Sequence, residues 1–442
     1  MLSVLTALAL ATLSPVAADA PAESAFCAPM LISVNARGGS PVLDAALIDS
    51  LGPEQLLRGL ERLPREDLRE FVATGDDVLE DLIANQPAPG DVRSWWAGLD
   101  FGERLKFETV APELVGNLDG VPYDVRDSAN RRLLEGTLAG LRSRLSAGIG
   151  KGAGFEAVSQ LRMLEQVESS LDQTADGPTR RLLVLDTAMP GRAAVSLGEL
   201  DSADYVSFLV PGALLSVREH MSEWTKVTAD IYDSQTSWQT LLGEHSTVAT
   251  VSWIGYQTPD VTNVFGLDLA EQGADFMSGT VNGLRALREG NEPYVSVFAH
   301  SYGATAVTLA LQRGEMAVDA LAMIGSPGGD AQSADDLGIP ADRVWVGEAA
   351  WDPVVDTAFF GTDPGSADFG AHPMGVNGAV DPVTGQVLTA SVGHDWYLEP
   401  GTESLRNLSL IGIDRGELVT DGSVSDVQKT LALSLADPPR GG

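Results

Sequence analysis

A serine lies in a short turn between a predicted strand and a predicted helix. The apolar run Tyr294–Phe298 leads into residues 299–303, which read Ala-His-Ser-Tyr-Gly, and a helical pattern begins at Ala304. This arrangement is typical of a nucleophile elbow, a turn so tight that the residues two before and two after the serine must be small. Ala299 stands where Gly is commoner, and a methyl group is the smallest side chain that could be added. The pattern therefore predicts Ser301 as a nucleophile that attacks a carbonyl carbon.

The base that activates this serine must be one of 5 histidines. His300 lies inside the turn and is predicted to be structural. His220 and His245 precede the nucleophile, whereas the usual chain order in this kind of site is Ser, acid, His. His372 is interpreted as a residue of the surface or of the pocket rim. His394 lies in a loop before a Pro-Gly turn, beyond the last predicted strand, and is the predicted general base.

A carboxylate is needed to hold the base in the correct tautomer. It should follow a strand that comes after the nucleophile strand, and the run Val344–Gly347 is that strand. Asp352 follows it, and Pro353 stiffens the turn that aims the carboxylate. The sequence therefore predicts Asp352 as the acid of the triad. The alternative carboxylates, each more typical of a solvated or capping residue, are Asp356, Asp330 and Asp395.

The negative charge that develops on the attacked carbonyl oxygen requires hydrogen-bond donors. The backbone N–H of Tyr302 is one donor, because it directly follows the nucleophile. The second should come from the loop after the third strand, where residues 210–214 read Val-Pro-Gly-Ala-Leu. Ala213 is the predicted second donor of this oxyanion hole, and Leu214 is the alternative.

Short apolar runs separated by turns predict the strands that position these residues. They are Arg181–Leu185, Ala193–Leu197, Tyr205–Val210, Val248–Ile254, Tyr294–Ala299, Ala317–Ile324 and Val344–Val346. The first two are close enough to form a hairpin, and the later ones are far enough apart for crossover helices, which favours parallel pairing. The predicted fold class is α/β, with a mixed, mostly parallel sheet, helices on both faces and an antiparallel leading edge.

Residues 42–172 show a helical pattern ahead of this sheet. Leu134, Leu138, Leu141 and Leu145 recur at spacings of three and four and share one stripe. The pair Trp95-Trp96 is interpreted as core packing rather than as a sugar or lipid platform. We therefore predict a helical N-terminal region over residues 21–175 and a catalytic domain over residues 176–442.

The sequence begins with an uncharged apolar run, which is followed by small residues at Ala18-Asp19-Ala20. Although no Lys or Arg precedes Arg37, this pattern favours a signal peptide over residues 1–20, with a membrane anchor or a buried helix as alternatives. The expected protein is secreted or associated with the cell envelope. Cys27 is the only cysteine, so an intrachain disulfide is impossible.

Composition excludes several other function classes. With 28 basic and 62 acidic residues, the formal net charge is −34, which repels phosphate backbones and predicts no nucleic-acid partner. No His-Glu-x-x-His, paired-cysteine or phosphate-loop lysine motif occurs. The run 325–329, Gly-Ser-Pro-Gly-Gly, lacks the spacing of a dinucleotide site and is interpreted as a loop. We expect neither a cofactor nor a metal ion.

These blocks carry a resemblance to an actinobacterial family of alpha/beta hydrolases of unknown function. The matching blocks are residues 209–212, 253–256, 300–303, 352–354, 393–394 and 404–407 and, in the helical region, 95–99, 112–122 and 126–130. The family often has Gly at the position of Ala299, and some members carry a helical hairpin that is not found here. The resemblance covers roughly residues 92 to 412 and implies the fold and the triad, but it brings no known substrate.

The expected function is that of a serine hydrolase, a carboxylic-ester hydrolase that acts on small-molecule or lipid esters through an acyl-enzyme intermediate. An amidase or peptidase would use the same triad. A non-catalytic envelope or secretion-associated binding protein on the same fold is the alternative from another class. Peripheral association with the envelope, the oligomeric state, and whether the helical region is a lid all stay open.

Overall fold

The computed structural model describes residues 32–33, 42–43, 50–175, 177–421, 427–428 and 430–431. The predicted signal peptide and Cys27 lie outside the described residues. The chain divides into two compact units, Met1–Arg62 and Leu63–Gly442. In the first unit, strand β1 (Ile32–Ser33) pairs antiparallel with β2 (Val42–Leu43), and helix α1 spans Pro53–Glu61. Residue 42, predicted as the start of the helical pattern, therefore lies in a strand, and the first described helix begins at Pro53.

The second unit begins with seven helices among its described residues. They are α2 (Arg65–Thr74), α3 (Asp76–Ala84), α4 (Pro89–Gly98), α5 (Phe101–Val110), α6 (Pro112–Asn117), α7 (Tyr123–Ala147) and α8 (Lys151–Ser170). Helix α5 starts at a capping box, in which the Asp100 carboxylate accepts the Glu103 N–H at 2.8 Å. The Trp95 and Trp96 side chains are buried, in agreement with the core interpretation.

An eight-stranded sheet follows these helices. Its strands are β3 (Arg180–Asp186), β4 (Arg192–Leu197), β5 (Tyr205–Val210), β6 (Val248–Ile254), β7 (Tyr294–His300), β8 (Ala320–Ile324), β9 (Val344–Gly347) and β10 (His372–Pro373). Their order across the sheet is β10-β9-β8-β7-β5-β6-β4-β3. Strand β4 pairs antiparallel with β3 and with β6, and all other pairs are parallel. The predicted mixed sheet with an antiparallel leading edge is thus confirmed.

Helices cover both faces of this sheet. The later helices are α9 (Val217–Leu242), α10 (Asp268–Leu287), α11 (Tyr302–Gln312) and α12 (Glu403–Gly412), with 3₁₀ turns at Ala334–Leu337, Ala341–Arg343, Val355–Thr357, Trp396–Leu398 and Gly416–Leu418. One core contains Met277 of α10 and Val307 of α11, whereas the other contains Ile231 of α9 and Leu408 of α12. The leucine stripe of α7 packs into this second core, so this stripe adds to the face of the sheet that α9 and α12 cover.

The outer edge of β3 is covered by polar side chains from α6 and α7. Asn117 donates to the Leu185 carbonyl at 2.9 Å and accepts the Leu185 N–H at 3.0 Å. Asp127 accepts the Leu182 N–H at 2.7 Å, and Asn130 donates to the Leu182 carbonyl at 3.1 Å. These contacts replace the hydrogen bonds that another strand would make, and so they close an edge that would otherwise be free to pair.

A buried ion pair completes this edge cluster, which we define as Asn117, Asp119, Arg126, Asp127 and Asn130. The Arg126 guanidinium donates to Asp119 at 2.8 Å and to the Leu183 carbonyl at 3.0 Å, and both charged side chains are almost fully buried. Gly116 accepts from Arg126 and Asn130, and a Cβ at this glycine would lie 1.9 Å from the Asn130 side chain. The sequence blocks 112–122 and 126–130 therefore hold the helical region to the sheet.

Candidate active site

Ser301 lies at the sharp turn between β7 and α11. Its φ and ψ are 55° and −130°, a conformation that only a strongly constrained non-glycine residue adopts. The Ser301 N–H donates to the Ile324 carbonyl at 2.9 Å, which fixes the turn against β8. A Cβ at Gly303 would lie 2.6 Å from the Pro211 carbonyl oxygen, so no side chain fits there. Ala299 is fully buried in the core, where its methyl group is accommodated.

The structure brings Ser301, His394 and Asp352 together. Nε2 of His394 lies 2.8 Å from Oγ of Ser301, and Nδ1 lies 3.0 Å from each carboxylate oxygen of Asp352. A proton on Nδ1, donated to the carboxylate, leaves Nε2 free to accept the serine proton. The three side chains therefore have the geometry of a nucleophile, a base and the acid that orients the base.

Asp352 is held by more than the histidine. The Tyr397 hydroxyl donates to Oδ2 at 2.7 Å, and the Val354 N–H donates to Oδ1 at 2.9 Å. The carboxylate is only 2% exposed, and burial alone would raise its pKa. The hydrogen bonds from His394, Tyr397 and Val354 outweigh burial and lower the pKa of Asp352 below its ordinary value. The acid is thus kept ionised beside the base.

Tyr397 is a residue of this site that the sequence analysis missed. Its hydroxyl accepts the Ala349 N–H at 2.8 Å while it donates to Asp352, so it joins the end of β9 to the carboxylate. The only signal was its position three residues after His394 in a loop of aromatic residues. Sequence spacing alone does not reveal which carboxylate such a hydroxyl meets.

Gly325, in the glycine-rich run after β8, leaves room for the triad. Its φ is +61°, and a Cβ would lie 3.1 Å from atoms of Asp352, His394 and Tyr397. Any side chain at this position would crowd all three. The run that the sequence indicates as a loop is therefore packed directly against the reacting groups.

His300 supports the backbone of the base. Its Nε2 lies 2.9 Å from the His394 carbonyl oxygen, and the two imidazole rings lie 4.7 Å apart. Burial, followed by the nearby His394, lowers the pKa of His300 to about 4. A neutral His300 with its proton on Nε2 donates to that carbonyl, which is consistent with the structural role expected for it.

The other candidate residues lie in different surroundings. His372 is exposed on β10, beside Trp345 at the edge of the sheet, and lines a cavity separate from that of Ser301. Asp330 is exposed, and the Asp356 side chain lies outside the described part of the chain. Asp395 is exposed and lines the Ser301 cavity. His220, which precedes the nucleophile in the chain, lines the same cavity.

The two oxyanion candidates, Tyr302 and Ala213, both lie near the nucleophile. Tyr302 is the first residue of α11, where a backbone N–H has no acceptor within the helix. A Cβ at Gly212 would lie 3.0 Å from Oγ of Ser301, so the turn that carries Ala213 passes close to the nucleophile. Among the described residues neither the Tyr302 nor the Ala213 N–H has an acceptor, whereas the Leu214 N–H donates to the Pro259 carbonyl at 2.8 Å. That bond removes the alternative donor, Leu214.

Ser301 and His394 face a cavity of about 580 Å³. Its lining is mostly apolar, and among the residues that the structure describes Asp395 is its one carboxylate. A cavity of this size is within the range of small-molecule sites, roughly 300–1,000 Å³. Ser301, His394, Tyr302 and Ala213 therefore adjoin a space in which an apolar group could be held.

Two further observations concern metal-ligating side chains and long apolar helices. They contain no group of three or more His, Cys, Asp or Glu side chains placed to hold a metal ion. Within the same part of the chain, no helix is both long and apolar enough to cross a membrane.

Comparison with known proteins supports the family resemblance. A family model described as alpha/beta hydrolase matches residues 186–362, a span that includes Ser301 and Asp352. The uncharacterized protein Rv2079 of Mycobacterium tuberculosis is 26% identical over 406 residues, which cover 80% of this chain and 61% of that protein. The uncharacterized protein Rv0963c of the same organism is 28% identical over 49% of this chain and 81% of its own length. This chain thus spans less than two thirds of the first of these relatives.

Solved structures with some likeness include two esterases. Carboxyl esterase 2 of Tuber melanosporum has 10% identity and a TM-score of 0.33, over 56% of this chain and 88% of its own. A mutant of the esterase E40 has 12% identity and a TM-score of 0.34, over 66% and 99%. These values are too low to bear on activity. The family match and the sheet topology confirm the resemblance to an actinobacterial alpha/beta-hydrolase family, and they support a hydrolase.

Proposed function

We propose that this alpha/beta hydrolase is a serine esterase that cleaves carboxylic esters through an acyl-enzyme intermediate. One observation carries the proposal: Ser301, His394 and Asp352 form a continuous hydrogen-bonded relay, with distances of 2.8 and 3.0 Å, at the wall of an apolar cavity. The hydrogen bonds that keep the buried Asp352 carboxylate ionised also place it where it can stabilise a positive charge on the His394 ring.

In the first half-reaction, Oγ of Ser301 attacks the ester carbonyl carbon while Nε2 of His394 takes the hydroxyl proton. The imidazolium that forms is stabilised by the ionised Asp352, which keeps its negative charge throughout. The tetrahedral intermediate then collapses, the carbon–oxygen bond to the alcohol breaks, and Nε2 returns its proton to the leaving oxygen. The products of this half-reaction are a free alcohol and an acyl group on Ser301.

In the second half-reaction, water replaces the alcohol. His394 removes a proton from the water as its oxygen attacks the acyl carbon, and the same proton returns to Oγ of Ser301 when the acyl–serine bond breaks. The carboxylic acid leaves and the enzyme is restored. In both halves the N–H groups of Tyr302 and Ala213 would bind the oxyanion, and one such donor is typically worth about 10²- to 10³-fold in kcat.

A fluorophosphonate probe tests this proposal. The phosphonylated serine has a tetrahedral centre that uses the same oxyanion donors as the acyl-transfer transition state. We expect stoichiometric labelling at Ser301 in the folded protein, no labelling after denaturation, and none in Ser301→Ala. The exposed Ser143 provides the matched control, because Ser143→Ala should label like the wild type.

The same preparation separates the alternatives. A serine esterase should hydrolyse p-nitrophenyl acetate faster than the matching anilide, since an alcohol is the better leaving group. Preference for the anilide would indicate an amidase or peptidase. Folded protein that neither takes up the probe nor hydrolyses either compound would be a binding protein on this fold, and the proposed activity would be wrong.

A further inference from the structure

Four aromatic rings form a continuous wall on one side of the Ser301 cavity. Their centroids are separated by 5.1 Å between Phe265 and Phe359, 4.9 Å between Phe359 and Phe360, and 5.5 Å between Phe360 and Tyr302. All four residues line the cavity. We call this surface the aromatic wall.

The aromatic wall leads from solvent to the nucleophile. At its outer end Phe265 and Phe359 are 68% and 52% exposed, whereas Tyr302 at its inner end is 1% exposed. Exposing two phenylalanine rings in water is unfavourable for a monomer unless they serve a ligand or a partner. Because the inner end is the residue after Ser301, a ligand that covers the exposed rings also reaches the reacting group.

The glycine-rich run after β8 fixes the part of the wall that carries Phe359 and Phe360. The Phe360 N–H donates to the Pro327 carbonyl at 3.2 Å, and Gly329 and Thr362 exchange two backbone hydrogen bonds of 3.2 and 2.8 Å. A Cβ at Gly361 would lie 2.4 Å from the Gly329 carbonyl oxygen, so the two segments approach as closely as glycines permit. This part of the wall is therefore built in advance of any ligand.

Tyr302 fixes the other part. Its hydroxyl donates to the Gly266 carbonyl at 2.6 Å and accepts the Ala270 N–H at 3.1 Å. These two bonds hold the loop that carries Phe265 against the nucleophile elbow. One tyrosine thus supplies an oxyanion donor, the inner ring of the wall and the anchor for its outer ring.

The rest of the cavity favours an uncharged aliphatic group. Leu214, Leu215 and Val264 are among its other lining residues, and the carboxylate of the lining residue Asp395 would repel an anion. The net charge of −34 acts in the same direction on an approaching anionic substrate. The alcohol oxygen of the ester must lie within reach of His394, which protonates it. The acyl group then extends along the aromatic wall, which begins at Tyr302.

We propose that the aromatic wall binds the acyl chain, and that the natural substrates are uncharged esters of medium- or long-chain aliphatic acids. The inference rests on the proposed esterase function and names its substrate class. A methylene that becomes fully buried favours binding by roughly fourfold. Selectivity should therefore rise with acyl length until the chain passes Phe265 and reaches solvent.

A series of p-nitrophenyl esters tests the inference, because the leaving group stays constant while the acyl chain grows. Acetate, butyrate, octanoate and dodecanoate esters are compared below the concentrations at which they aggregate. We expect kcat/KM for octanoate to exceed that for acetate by at least about tenfold, a conservative fraction of the full-burial gain.

Variants locate the selectivity. Phe360→Ala should lower the octanoate-to-acetate ratio by about three- to tenfold, since an aromatic contact is lost along the chain. Phe359→Ala removes a half-exposed ring and serves as the second variant if Phe360→Ala does not fold, with fluorophosphonate labelling as the check of folding. Phe155→Ala is the control, because Phe155 is an exposed phenylalanine on α8 outside this cavity and its loss should leave the ratio unchanged.

The outcomes separate this inference from the function on which it rests. Acetate hydrolysis with a flat or falling ratio would overturn the acyl-binding role and leave the esterase standing. A ratio that survives both wall variants would also overturn it. If no ester is hydrolysed and no probe is taken up, both proposals are wrong.

Discussion

The molecule contains two buried polar clusters, each built around a carboxylate, and they differ in where their hydrogen bonds end. In the edge cluster, Asp119 pairs with Arg126 at 2.8 Å. In the candidate active site, Asp352 contacts His394 at 3.0 Å and Tyr397 at 2.7 Å. Both carboxylates are inaccessible to solvent and both are satisfied by good donors.

The side chains of the edge cluster form hydrogen bonds with backbone groups of β3. These backbone groups are fixed in position and are not reactive. The triad ends instead at the hydroxyl of Ser301, in a strained turn beside two N–H groups that have no acceptor among the described residues. The comparison teaches that a buried ion alone does not mark an active site. What distinguishes the candidate active site is a relay that ends at a serine hydroxyl facing a cavity.

The largest expected effect is on the base. His394→Ala should lower kcat by roughly 10⁶-fold, as loss of the serine itself would, because the triad members act as a unit. Steady-state hydrolysis of p-nitrophenyl acetate measures this loss. His372→Ala is the control, since His372 is exposed on β10 and lines a different cavity from Ser301. Its effect should be mild. A reversed order of the two variants would show that the base has been wrongly assigned.

The acid should give the next largest effect. Asp352→Asn should preserve the fold and cost on the order of 10⁴-fold in kcat, because an amide favours the wrong imidazole tautomer. The exposed Asp330 supplies the control variant Asp330→Asn, expected to match the wild type. Full activity in Asp352→Asn would move the role to another carboxylate, with Asp356 the first to test.

The edge cluster should respond in stability rather than in rate. Arg126→Met leaves the Asp119 carboxylate buried and unpaired, which typically costs about 3–5 kcal/mol of unfolding free energy. Urea denaturation measures that loss, and kcat per labelled Ser301 should stay near the wild-type value. On the same helix, Arg142 is half exposed, and Arg142→Met should cost at most about 1 kcal/mol. A fall in kcat per labelled site would mean that the two clusters are coupled.

The smallest expected effect is on the pH dependence of stability and concerns His300. This histidine is buried like the edge cluster, but it contacts the backbone carbonyl of His394. Because burial lowers its pKa from 6.5 to about 4, the unfolded chain binds a proton that the folded chain does not, between those pH values. Above about pH 6.5, His300 is neutral in both states and the free energy of unfolding keeps its full value. As the pH falls toward 4, protonation of the unfolded chain lowers that free energy by roughly 3 kcal/mol in all. Unfolding midpoints across that range should fall more steeply for the wild type than for His300→Gln. The exposed His245, replaced by Gln, should leave the wild-type slope unchanged.

Local pattern predicted most of the sheet and the candidate triad. Strands, turns and the serine elbow each depend on a short stretch of sequence. The predicted bounds of the strands Tyr205–Val210 and Val248–Ile254 therefore agree with the structure. The strand predicted from Ala317 begins instead at Ala320, because Val318 is buried in the core without joining the ladder. The two-residue strand β10 has no pattern to detect.

Residues that act through distant partners could not be found in this way. Tyr397 matters because its hydroxyl reaches Asp352, 45 positions earlier in the chain, and Phe265 because it meets Phe359. The blocks 112–122 and 126–130 were visible as a family resemblance, but their task of covering a strand is a property of the assembled sheet. The bond from the Leu214 N–H to the Pro259 carbonyl likewise joins residues 45 positions apart, and the turn sequence at 210–214 does not indicate it.

The side chains that cover β3 also come first in the order of synthesis. Asn117, Asp127 and Asn130 precede their strand partners by 68, 55 and 52 positions. At about 5–20 residues per second, a ribosome makes them roughly 3 to 14 seconds before the strand that they cover. When β3 leaves the ribosome, its partner groups are therefore already in the nascent chain, and its edge need not wait for the rest of the sheet to be protected from a neighbouring chain.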